Sequence, residues 1–165
     1  MHIALFVSLS LIMYLVESLM PPVFAFAPGA KLGLANVVSL CALVLLGVLE
    51  SFLVVTLRCL LAAFLVGNPV SLMYSLPSAI VSLSSMTLLY VLVFPKISLM
   101  SISFVSAIVF NVVQLFVASF VVQNIYIMFY LPVMFLASAG AGIFVGLVAF
   151  YIIKHAPTNI FLRQQ

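Results

Sequence analysis

The chain contains no aspartate, and it has only two glutamates and five lysines or arginines in 165 residues. Charged residues make up 4% of it, where a soluble domain carries about a quarter. Hydrophobic residues make up 68%. A surface so poor in charge cannot face water on most sides, so the implied solvent is a lipid bilayer. Other absences narrow the function. The net charge of +3 is scattered, with no two basic residues adjacent, which excludes nucleic acid as a partner. Only two cysteines occur, Cys41 and Cys59, both within apolar runs and without a CxxC or Cys/His cluster. That excludes a metal site and a disulfide framework and leaves two buried thiols. No GxxxxGK[ST] motif is present, so energy for any ATP-driven process must come from a partner.

What remains is long apolar runs punctuated by Pro, Gly and Asn. A membrane helix takes about 20 residues, so six spans with short turns nearly fill the chain. The pattern predicts an all-α integral membrane protein, a single six-transmembrane-helix bundle over 1–165. Its spans fall at about 2–20, 33–47, 50–66, 70–94, 98–122 and 128–153. An apolar, Pro/Gly-rich loop, residues 21–32, follows helix 1 and is expected to fold onto the protein or dip into the membrane. Ala25-Phe26-Ala27 resembles a signal-peptidase site. However, no Lys or Arg precedes the apolar stretch and Pro28 follows the cut, so the reading is a retained first helix. With both termini in the cytoplasm, the inner segments hold Lys96, Lys154 and Arg163 and the outer ones only Lys31, as the positive-inside rule requires.

In this orientation the costly polar residues gather in the outer half. Glu17 lies near the outer end of span 1, Lys31 and Asn36 flank the start of span 2, and Tyr74 and Tyr130 open spans 4 and 6. Arg58 falls near the middle of span 3, where an arginine costs at least about 2.5 kcal/mol and needs a partner or a watery cavity. Two roles stand open for it. One is an ion pair with Glu17, or a carbonyl network, that fixes the bundle. The other is a ligand pocket shared with Asn111 and Gln114, which lie on one face of span 5 at i, i+3 spacing. Lys31 reads either as a pocket residue or as an interfacial anchor, and Glu17 as a latch or an ion-pair partner. The substrate-binding candidates are thus Glu17, Lys31, Asn36, Arg58, Tyr74, Asn111, Gln114 and Tyr130. No catalytic or metal-binding constellation stands out, and no cofactor is implied.

Small residues recur every four positions on three helices: Ser138, Gly142 and Gly146 on span 6, Ser103 and Ala107 on span 5, and Ala4 and Ser8 on span 1. Such faces let helices approach closely in lipid. They serve internal packing or, at Ala4 and Ser8, docking of a second membrane protein.

The block Pro28-Gly29-Ala30-Lys31-Leu32-Gly33-Leu34-Ala35-Asn36, followed by Leu46-Gly47, Glu50, Arg58, Gly67, Asn111-Val112-Val113-Gln114 and Tyr130-Leu131-Pro132, resembles the Gx transporter family. That family is also called heptaprenyl diphosphate synthase component I. Two positions depart from its pattern: Phe110 stands where a histidine is usual, and Leu76-Pro77-Ser78 replaces the glycines after Ser75. The family is similar to the substrate-binding (S) components of energy-coupling-factor importers. The resemblance implies a bacterial plasma-membrane protein that captures a small vitamin-like solute or cofactor precursor from outside. Its partners would be a transmembrane coupling protein and two cytoplasmic ATPase subunits. It further implies that residues 21–32 cap the pocket and that the Ala4/Ser8 face docks the coupling protein.

The family's second name gives the alternative: a non-catalytic membrane component of polyprenyl diphosphate synthesis. Ionising an allylic diphosphate needs Mg²⁺ on clustered acidic oxygens. A chain without aspartate, with Glu17 and Glu50 predicted on opposite sides, cannot do that alone. A subunit of an electron- or proton-moving complex is disfavoured, since both histidines lie near the termini. Arg58 and Lys31 suit a small-molecule substrate with an anionic group, and the aromatics suit a ring or an isoprenoid.

Overall fold

In a computed structural model the described residues are 2–19, 35–67 and 69–155. They form six α-helices: α1 (His2–Leu19), α2 (Ala35–Leu45), α3 (Val48–Val66), α4 (Pro69–Val93), α5 (Leu99–Val122) and α6 (Leu131–His155). A 3₁₀ segment, Ile125–Tyr130, precedes α6. The six helices fall where the apolar runs predict them. The loop at 21–32, Lys31, Asn68 and the tail from 156 lie outside the described residues. Four of the helices are long and apolar enough to cross a membrane: Val48–Val66, Leu72–Val93, Leu99–Val122 and Ser138–His155. The apolar stretches of α1 and α2 are shorter.

Helix ends follow local chemistry. Between α2 and α3 the chain turns in two residues, and Gly47 adopts φ 114°, a conformation glycine reaches without a Cβ clash. Gly67 ends α3 in the left-handed region at φ 68°. Span 6 starts later than its pattern suggests. The Asn124 side chain accepts the Tyr126 N–H at 3.0 Å and opens the 3₁₀ turn, and Pro132 then fits the first turn of α6. Pro77 sits inside α4, where it cannot donate to the Met73 carbonyl.

α2 is the axis of the bundle. Ten of its 11 residues are buried, and it touches all five other helices. Leu40 and Leu43 join Val55, Leu83, Met86, Ile102 and Val145 in the main apolar core. Phe110 is part of this core, so the position where the family resemblance expects histidine packs here as a hydrophobe. Around α2 the other helices pack in the order α1, α3, α4, α5, α6. The ring is open between its ends, because α1 and α6 share no substantial interface among the described residues.

α5 and α6 are held by the small-residue faces. A Cβ on Gly142 would lie 2.7 Å from the Phe104 Cα, and one on Gly146 would lie 2.6 Å from the Met100 Cα. Further along, Asn111 Nδ2 donates to Ser138 Oγ at 2.6 Å, and that hydroxyl donates to the Met134 carbonyl at 2.6 Å. These faces therefore serve internal packing. Ser82 Oγ crosses from α4 to the Ser106 carbonyl of α5 at 2.8 Å. By contrast, Ser84 and Ser85 bond carbonyls of their own helix, as serines in apolar helices commonly do.

Candidate functional site

The buried positions of α1 are Val7, Ser10, Tyr14 and Glu17. Their 3–4 spacing makes one stripe, and three of the four are polar. Tyr14 packs in one cluster with Ala35 of α2 and Ala62 of α3. This contact sets the register of the first three helices. One turn back along α3 from Ala62 is Arg58, 4% exposed. One turn on along α1 from Tyr14 is Glu17, and beside Ala35 is Asn36, both buried. Tyr74 of α4 is half-buried and lies within electrostatic reach of Tyr14. The mutually packed helices α1, α2 and α3 thus bury Ser10, Tyr14, Glu17, Asn36 and Arg58, with Glu17 one turn beyond the Tyr14–Ala62 contact and Ser10 and Arg58 one turn before it.

Arg58 is a buried charge with an incomplete environment. Its Nη2 donates to Cys59 Sγ at 3.7 Å, a weak acceptor, and its Nε is buried without a partner. A guanidinium presents its N–H donors in a planar fork that matches carboxylate and phosphate oxygens. An anion arriving at this junction would meet donors already stripped of water.

The structure therefore divides the candidates in two. Glu17, Asn36 and Arg58 are buried on α1, α2 and α3, which pack together, and Tyr74 is half-buried on α4. Asn111 and Gln114 are buried on α5, and α3 shares no substantial interface with α5. Asn111 uses its amide nitrogen to tie α5 to α6, while its Oδ1 is buried without a partner. Tyr130 is half-buried at the end of the 3₁₀ segment. Lys31 lies outside the described residues. Ala4 and Ser8 are exposed on α1, with Ser8 Oγ donating to the Ala4 carbonyl at 2.9 Å. Sequence reasoning missed Ser10 and Tyr14. Their 3–4 spacing with Glu17 was the available clue, hidden because serine and tyrosine are unremarkable singly in an apolar run.

Among the described residues no group of three His, Cys, Asp or Glu side chains converges as metal ligands. Fold and junction together define a class: an all-helical bundle of membrane-spanning type with a buried cationic site. Within that class the chain belongs to the heptaprenyl diphosphate synthase component I family, whose model matches residues 6–152. Neither a curated protein nor a solved structure matches it.

Proposed function

We propose that the protein is a non-catalytic membrane component of polyprenyl diphosphate synthesis, which holds an isoprenoid substrate or product by its diphosphate at Arg58. The observation that supports this is the buried guanidinium with an unpartnered Nε, in a member of a family named for that synthase. A diphosphate supplies the paired oxygens that an arginine fork binds. The absence of aspartate places metal-dependent ionisation on a separate catalytic partner. The same proposal includes six membrane crossings with both termini in the cytoplasm, favoured by Lys96, Lys154 and Arg163 against Lys31.

The test is native mass spectrometry of the protein in nanodiscs with farnesyl diphosphate, inorganic diphosphate and a neutral prenyl alcohol. The expected result is that the two diphosphates bind to the wild type and that Arg58→Ala weakens both by about ten-fold or more, the loss of a charge-assisted contact. Equal binding by wild type and Arg58→Ala would overturn the assignment. In parallel, the protein should raise prenyl chain elongation by a soluble prenyltransferase partner.

One observation favours a second reading, the substrate-capture component of an energy-coupling importer. The small residues of α5 and α6 are used inside the bundle, yet Ala4 and Ser8 face outward. An outward small-residue face suits a second membrane helix. Affinity purification separates the readings: a coupling protein with two ATPases supports import, and a soluble prenyltransferase supports synthesis.

A further inference from the structure

The segment that joins α5 to α6 carries two features that demand different surroundings. Its side chains are largely apolar and open. None of the six residues of Ile125–Tyr130 is buried, and Ile125, Tyr126 and Phe129 are 75%, 71% and 78% exposed. The Tyr126 and Phe129 rings stack, with centroids 6.2 Å apart. Its backbone, by contrast, is irregular. α5 ends at Gln123 in the left-handed region at φ 55°, and the chain passes through Asn124 into the 3₁₀ turn, both residues being exposed.

Each feature excludes one medium. Lipid-exposed irregular backbone does not occur within the hydrocarbon, where its N–H and C=O groups find no partners. Large exposed apolar side chains in a row are costly in bulk water. The boundary between the two satisfies both, and there a tyrosine ring sits in the headgroup layer with its hydroxyl wet. Helix length gives the same depth. Exposed Lys96 precedes α5 and exposed Lys154 closes α6, with no charged residue between them in the sequence. Gly142 against Phe104 and Gly146 against Met100 set the two helices antiparallel, so the lysines share one end of the pair and Ile125–Tyr130 closes the other. The 24 residues of α5 span about 36 Å at 1.5 Å per residue, against a hydrocarbon core of about 30 Å. With the lysines in one headgroup layer, the segment reaches the opposite one. We propose that Ile125–Tyr130 is an interfacial anchor whose partner is phospholipid, lying in the headgroup layer of the leaflet opposite Lys96 and Lys154. Together with those lysines it fixes the tilt of the α5–α6 pair. This rests on the membrane crossing of α5 and α6 and is independent of the diphosphate assignment at Arg58.

The chain contains no tryptophan, so a single introduced one reports its own depth. The test places Tyr126→Trp, Phe129→Trp and Phe144→Trp, each in the full-length protein, in phosphatidylcholine vesicles with acyl chains brominated either near the headgroup or near the chain end. Phe144 is 54% exposed and lies about 20 Å along α6 from Leu131, at 1.5 Å per residue, which is near the bilayer centre. Tyr126→Trp and Phe129→Trp are expected to lose most fluorescence to the shallow bromines and less to aqueous iodide, and Phe144→Trp to lose most to the deep bromines. Ile125→Trp, outside the ring stack, should repeat the shallow profile and covers a misfolded variant of the stacked pair. Three results would overturn the anchor: quenching of the segment variants by iodide without bromine, which puts the segment in water; strongest quenching by the deep bromines; or quenching by neither, which shows it covered by a second copy or another protein. In each case a Phe144→Trp that keeps its deep profile leaves the membrane crossing standing, and one that escapes both bromines removes the crossing as well.

Discussion

The α5–α6 pair and the α1–α3 pair make opposite use of their buried polar groups. Between α5 and α6 the backbones close over Gly142 and Gly146, and Asn111 bonds Ser138, which bonds Met134. The polar atoms there join one helix to another. Between α1 and α3 the helices meet through Tyr14 and Ala62, and the charged group one turn away has its Nη2 on a thiol and its Nε unpartnered. Both regions are buried to a similar degree, so burial alone does not separate scaffold from site. The difference lies in what is left over: a neutral amide oxygen of Asn111 beside α6, and a charged guanidinium nitrogen of Arg58 on α3.

The sharpest way to break this comparison is to attack the tighter pair. A methyl on Gly142 or Gly146 meets backbone atoms, which cannot swing aside as a side-chain tip can. Overpacking of this kind costs about 1–3 kcal/mol per site. The Gly142→Ala/Gly146→Ala double variant is expected to lose most of its folded yield, and each single variant to melt at lower temperature in mild detergent. If both single variants melt like the wild type, the seam is looser than drawn.

Arg58 gives the second-largest effect, with the opposite sign. Replacing a buried, poorly matched charge by an apolar side chain of similar length is often stabilising, by about 1–4 kcal/mol. Arg58→Met should therefore raise the melting temperature while abolishing diphosphate binding. A destabilised Arg58→Met would show that the guanidinium holds the bundle together, and would merge the two regions into one scaffold.

These contrasts show how far the sequence reaches. The helices were legible because proline, glycine and asparagine sit at nearly every break in hydrophobicity, and the bilayer allows few other structures. The packing role of Gly142 and Gly146 was legible from four-residue spacing. The grouping of the site was not. Arg58, Asn111 and Gln114 share a depth along the chain, but depth does not fix which helices touch, and α2 at the centre keeps α3 from α5. Ser10 and Tyr14 became visible only once α1 had a buried side. The gap between α1 and α6 could not be read at all, since it depends on which two helices fail to meet.

Asn111 comes next in size. Asn111→Leu removes the donor to Ser138 Oγ and fills the space with an apolar group. The serine keeps its own bond to Met134, so the loss is confined to one interhelical hydrogen bond, about 0.5–1.5 kcal/mol net. Diphosphate binding should be unchanged, because α3 and α5 do not share an interface. A ten-fold loss of binding in Asn111→Leu would bring α5 into the ligand site.

The smallest expected effect is at Ser8. Its hydroxyl bonds a carbonyl of its own helix, which is satisfied in any case by the helix ladder, and the residue is exposed. Ser8→Leu should shift stability by no more than about 0.5 kcal/mol, as surface changes away from special features do. On the Gly142 face the same increase in bulk would be ruinous, so the contrast isolates geometry from residue type. If Ser8→Leu folds normally but no longer recovers a membrane partner on affinity purification, the outward face of α1 is an interface. If partner recovery is unchanged, that face meets only lipid, and the importer reading loses the observation that favours it.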